Sequence, residues 1–156
     1  MTLQLDHPTR IERPTIPAPT LLLDVMSQDE HEFLADRRLA VLATGRRDGS
    51  PQISMVNYHF DGHDLVVSVT TDRAKWANVQ RQPRVALVVN DGRRQLVVYG
   101  RATAIATDPM RTELHRRLRR AMGHDNGKDD RALAAELEDA NRVIIRIEPT
   151  RALMNN

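Results

Sequence analysis

The chain has 156 residues, no cysteine and only 3% aromatic side chains. That length fits one domain with its own core, the missing thiols exclude disulfides, thiolate metal sites and cysteine nucleophiles, and the scarcity of rings leaves little to stack on single-stranded nucleic acid. Lys and Arg number 23 against 21 Asp and Glu, a net charge of +2, which does not by itself imply nucleic acid as a partner; a small-molecule ligand is expected instead.

The opening MTLQLDHPTRIERP places charges where a signal peptide needs an apolar stretch, and no later run approaches the ~20 residues of a membrane span. A cytoplasmic protein is therefore expected. PTRIERPTIPAP holds four prolines without an apolar period, so residues 1–26 read as an extended Pro-rich arm and 27–156 as a single domain. Ser27-Gln28-Asp29-Glu30 is a capping box, which predicts a short helix reaching about Arg38 and burying Phe33 and Leu34. LAVLATG reads as a first strand, and Asp48-Gly49 as a hairpin turn into PQISMVNYHF. In that second strand Gln52, Ser54, Val56 and Tyr58 share one face, while Ile53, Met55, Asn57 and His59 share the other.

Asp61-Gly62 predicts another hairpin, DLVVSVTT a third strand, and Asp72 the N-cap of a helix that ends before Pro83. RVALVVN is a fourth strand, Asp91-Gly92 a third hairpin, and QLVVYGRATAIAT a long fifth strand in which Gly100 allows a bend or bulge. From Pro109 the apolar period turns helical, with Met110, Leu114, Leu118 and Met122 in one stripe and Arg111, Arg116, Arg117, Arg119 and Arg120 largely outside it. A polar loop, a last helix in RALAAELEDAN and a sixth strand in RVIIRIEP complete the pattern. Six strands, mostly hairpin-linked, with helices at the margins, predict a mostly antiparallel barrel in an α+β frame.

The richest chemistry lies at the strand-to-helix junction Thr70-Thr71-Asp72-Arg73-Ala74-Lys75. Cations in a first helical turn work against the dipole, at roughly 0.3–1 kcal/mol each. Two hydroxyls, free N–H groups and two cations together are what holds a phosphate. The junction alone fits such an anion site and a solvated helix start equally well. Histidine spacing gives no zinc pattern, and neither a G-x-S-x-G elbow nor a Gly-rich phosphate loop is present. The arginine run RTELHRRLRRAMGH reads as the solvated face of an amphipathic helix, with an anion-receiving role open if it folds beside the junction.

The string DGSPQISMVNYHFDGHDLVVSVTTDRAKWANVQRQPRVALVV resembles the flavin and deazaflavin oxidoreductases of the split β-barrel superfamily, which includes pyridoxamine 5′-phosphate oxidase. Its D-G-x-P-Q, Y-H-F-D and R-x-K…N…P pieces are most similar to the actinobacterial F420-dependent branch. The resemblance implies a six-stranded split barrel and a homodimer with cofactor at the subunit interface. It also implies F420, or alternatively FMN, as the cofactor of an oxidoreductase acting on a small molecule. Its phosphate would lie on Arg73 and Lys75 beside Thr70 and Thr71, and its ring along Gln52, Ser54 and Val56, with Asn57 a weaker candidate. No metal is implied and no catalytic proton donor is assigned; Tyr58 and His59 fit structural roles better. The oxidase pattern has adjacent Arg and Lys where this chain has Arg73-Ala74-Lys75, which argues against pyridoxamine phosphate as the substrate. Storage or shielding of a flavin or tetrapyrrole is the non-enzymatic alternative.

Overall fold

The computed structural model describes residues 25–155; the expected Pro-rich arm lies outside the described residues except for its last two, of which Met26 is buried in the core. The elements in chain order are α1 (Gln28–Ala35), β1 (Leu39–Gly45), β2 (Pro51–Asn57), β3 (His59–Phe60), β4 (Leu65–Thr70), α2 (Ala74–Arg81), β5 (Arg84–Asn90), β6 (Gln95–Ile105), α3 (Met110–Ala121), α4 (Asp130–Asp139) and β7 (Arg142–Asn155). They form an α+β fold around one antiparallel sheet of order β2-β1-β5-β6-β7-β4-β3.

The sheet has seven strands where the sequence predicts six. PQISMVNYHF does not stay one strand: the Tyr58 N–H still reaches the Arg38 carbonyl at 2.8 Å, but its buried hydroxyl donates to the Leu34 carbonyl of α1 at 2.8 Å and the chain changes pairing partner beyond it. Before this break β2 pairs with β1, and after it β3 pairs with β4. The two strands are thus the opposite edges of the sheet, joined by one buried tyrosine. This curls the sheet into a split barrel.

Period-2 alternation explains the core. Ala40, Leu42 and Thr44 of β1, Val85, Leu87 and Val89 of β5, and Leu96 and Val98 of β6 point inward. The capping box of α1 forms as expected, with the Glu30 N–H on Ser27 Oγ and the Ser27 N–H on Glu30, and it seats Phe33 and Leu34. That helix ends at Ala35, three residues short of the expected Arg38. A second small cluster of Val66, Ile105, Leu114 and Ile144 lies beneath α3.

The outer sheet face is also apolar. Met55, Val41, Val88, Val97 and Leu153 face one another in register across five strands. Ile53 is 67% exposed, Met55 59% and Leu39 51%. At Gly100, where a bend or bulge is expected, the β6–β7 register shifts. The reason is closeness, since a Cβ there would come within 2.6 Å of the Glu148 carbonyl oxygen.

The arginine run of α3 is not simply a solvated face. Arg111 is buried, with Nη2 2.7 Å from Asp108 Oδ2 and Nη1 2.7 Å from Glu138 Oε2. Arg116 pairs with Asp130 at 2.7 Å and Arg119 with Glu136. These contacts clamp α3 to α4, because carboxylates close in space though distant in sequence match one side of the helix. Among the described residues, no helix is long and apolar enough to cross a membrane.

Candidate functional site

A cleft of about 670 Å³ opens where the β2 edge meets the end of β4 and the last turn of α3. Six of the residues expected from sequence line it: Ser54, Val56 and Asn57 from β2, Thr70 from the end of β4, Arg73 ahead of α2, and Lys75 in its first turn. The other two do not. Gln52 accepts from the Thr44 hydroxyl at 3.0 Å, in a chain of hydrogen bonds that continues to Asn78 and Arg81. Thr71 is exposed and spends its N–H on the Asn141 carbonyl.

The junction is built differently from its expected form. Asp72 is not the N-cap of α2; the helix starts at Ala74, with Arg73 as N-cap at φ −80 and ψ 136 and no side-chain cap bond. The Asp72 carboxylate instead accepts from the Thr70 hydroxyl, which is the main reason its pKa falls below the usual carboxylate range. The first turn of α2 therefore has no side-chain cap and no acidic residue; the Arg73 and Trp76 N–H groups donate to the carbonyls of Thr70 and Arg73, which leaves those of Ala74 and Lys75 for a ligand. Burial, and then the charge of Arg73, push the Lys75 ammonium below the usual lysine range. An anion between the two would reverse the second effect and compensate the first.

Ser68, Val69 and Arg142, which the sequence did not single out, complete the walls: Ser68 and Val69 precede Thr70, and Arg142 opens β7 directly opposite it in the ladder. Leu118 and Arg119 of α3 and Met122 at its end also line the cleft, so the arginine-rich helix does fold beside the junction. Among the described residues, Arg73, Lys75 and Arg142 form no ion pair, whereas Arg119 is held by Glu136. One wall is thus cationic and, among the described residues, unneutralised. On the facing wall, the Ser54 hydroxyl is buried without a hydrogen-bond partner, beside the apolar Val56. Such an orphaned hydroxyl costs about 1–3 kcal/mol until a ligand or water satisfies it. Tyr58 is fully buried and bonded to Leu34, and neither it nor His59 lines the cleft. No three His, Asp or Glu side chains gather as a metal centre needs among the described residues.

Residues 26–156 match the family model described as pyridoxamine 5′-phosphate oxidase. The chain belongs to this family. Over 79 residues it is 38% identical to an F420H(2)-dependent biliverdin reductase of Mycobacterium tuberculosis, a match covering 49% of this chain and 58% of that protein. The chain therefore spans little more than half the length of this curated relative. Among solved structures, an F420 reductase superposes with a TM-score of 0.64 at 27% identity, covering 82% of this chain and 98% of that one. A conserved hypothetical protein of M. tuberculosis superposes at 0.70 with 23% identity, covering 83% and 84% of the two chains. A heme storage protein of Vibrio cholerae superposes at 0.59 with 18% identity over 84% of this chain and 94% of that one, a likeness of fold alone.

Proposed function

We propose that this family member is an F420-dependent reductase that holds the cofactor phosphate on Arg73 and Lys75 and passes hydride to a small organic acceptor. The observation that carries the reading is the pairing of an unneutralised cationic wall with a facing wall of orphaned hydroxyl and apolar side chains. The first fits a phosphate, where two cations and the uncapped amides of α2 act on one ligand. The second fits the edge of a planar ring, with Ser54 satisfied by a ring heteroatom and Val56 packed on its face. The M. tuberculosis relative, an F420H(2)-dependent enzyme by name, supports the choice of cofactor.

When bound, the deazaflavin supplies the hydride chemistry. The chain's own residues bind and orient: Arg73, Lys75 and Arg142 attract the anionic end, while Val56, Val69, Leu118 and Met122 supply the apolar part of the lining. FMN is the second reading, favoured by the same phosphate anchor and by the oxidase for which the family is described. The row through Met55, Val41, Val88, Val97 and Leu153, exposed at Met55 and Leu153 and half-buried between them, supports a homodimer, because a partner could cover a continuous apolar band across five strands. Met55 belongs to that row and also lines the cleft, so a partner on this face would extend the site. The expected setting is the cytoplasm.

Parallel fluorescence titrations with F420 and FMN test the reading. Micromolar binding of F420 that is lost in the Arg73→Ala/Lys75→Ala variant supports it. Tight FMN binding with no F420 binding replaces it by the second reading, and binding of neither removes both.

A further inference from the structure

Ser68 stands in the wall between the cleft and a smaller cavity of about 400 Å³ behind it, and His115, itself 3% exposed, lines that second cavity. Both ring nitrogens of His115 are committed. Nδ1 lies 2.9 Å from the carbonyl oxygen of Arg111, which only accepts, so Nδ1 carries the proton. Nε2 is then the acceptor, and the Ser68 hydroxyl 2.9 Å away donates to it. The one proton of Ser68 is consumed behind the wall. What this hydroxyl offers the cleft is lone pairs, and Arg142 Nη1 approaches only one of them, at a long 3.5 Å.

The neutral state of His115 is well protected, since burial holds its pKa down to about 4, with the charges of Arg119, Arg142 and Arg111 adding to the effect. Ser68 and Thr70 are alternate residues of β4 and both line the cleft. At a strand rise of roughly 3.3 Å per residue they stand about 7 Å apart.

We propose that the cleft selects, through Ser68, a phosphate-anchored ligand bearing a hydroxyl or N–H donor on the part that passes Ser68, with His115 as the positioning residue that fixes this polarity. The inference rests on the phosphate reading given above, in which the polyol linker of a flavin or deazaflavin phosphate supplies the donor. A ligand group that only accepts would meet lone pair against lone pair and be rejected.

Two measurements test it. Nitrogen-15 NMR of histidine-labelled protein without ligand reads the His115 tautomer: a proton on Nδ1 is expected, and a proton on Nε2 overturns the proposal whatever the cleft binds. Affinity for F420 and FMN is then compared in folded Ser68→Ala, His115→Met, His115→Gln and the Ser68→Ala/His115→Met double variant, with thermal melts as the folding control. Loss of one neutral hydrogen bond predicts roughly three- to tenfold weaker binding in either single variant. The double variant should be no worse than the singles, and glutamine, which also accepts from Ser68, should restore most of the affinity. Unchanged affinity in His115→Met, or effects that simply add, overturn the positioning role. Failure of the wild-type protein to bind either cofactor sinks the cofactor reading instead, while the tautomer still decides the polarity of Ser68.

Discussion

Removing both junction cations separates an anion site from a structural ion-pair network. In the Arg73→Ala/Lys75→Ala variant, neither side chain surrenders an ion pair, because among the described residues neither has one, and Arg73 caps nothing with its side chain. Each cation near the α2 N-terminus opposes the helix dipole, by about 0.3–1 kcal/mol, and the depressed Lys75 ammonium shows that its charge is disfavoured where it sits. Stability should therefore hold or rise, with a melting temperature unchanged or up by about 2–4 °C for each kcal/mol gained in a domain of this size. Binding moves the other way. A hydrogen bond to a charged group contributes about 1.5–3 kcal/mol, a factor of roughly 10 to 150 per residue. The two losses should combine non-additively on one shared phosphate, so F420 affinity should fall by two to three orders of magnitude (~10²–10³). Differential scanning fluorimetry and a fluorescence titration on one preparation read both quantities. A large drop in melting temperature, or affinity within a factor of about three of wild type, would refute the reasoning.

Acid should weaken the fold through His115. Its folded pKa of about 4 lies below the ordinary 6.5, so the unfolded chain binds the extra proton between these values. The contribution is fully present above pH 6.5, falls as the pH drops through this window, and is gone near pH 4; a shift of this size corresponds to roughly 3 kcal/mol. Urea melts of wild type and His115→Gln at pH 7 and pH 4 should show a smaller acid loss in the variant. Gly100→Ala should cost about 1–3 kcal/mol by overpacking, because the new Cβ meets the Glu148 carbonyl oxygen at 2.6 Å and Ile147 Cγ2 at 2.7 Å; an unchanged urea midpoint would contradict it. Arg111→Met should loosen α4 from α3, costing about 1–3 kcal/mol as Asp108 and Glu138 lose their partner, visible as faster amide exchange in residues 130–139. If the apolar row of the outer face seats a second copy as proposed, wild type should sediment as a dimer and Met55→Asp as a monomer with a cooperative melt; a monomeric wild type would refute it.

Much of the scaffold is legible in the residues. The spans of β1 and β5 follow directly from LAVLATG and RVALVVN, because strict alternation fixes which side chains meet the core. The hairpin turns at Asp48-Gly49, Asp61-Gly62 and Asp91-Gly92 need positive φ, and Gly49, Gly62 and Gly92 take 85, 96 and 90 degrees. The break at Tyr58 was not legible. The Leu34 carbonyl that takes the Tyr58 hydroxyl reaches it only after α1 has folded over the sheet. Arg111 likewise reads as one more surface arginine until Glu138 arrives from α4.

The candidate site divides along the same line. Local chemistry determined the cationic junction, since a strand end, Thr70 and two cations fall within six residues whatever the rest of the chain does. Tertiary structure decided that Gln52 is bound to Thr44 rather than lining the cleft and that Arg142 stands opposite Thr70. It also set Ser68 against His115, two residues 47 positions apart. The physical reason is reach: backbone propensity and period act over a few neighbouring residues, whereas the partner of a polar side chain is whichever group the packed sheet and helices bring within 3 Å or so of it.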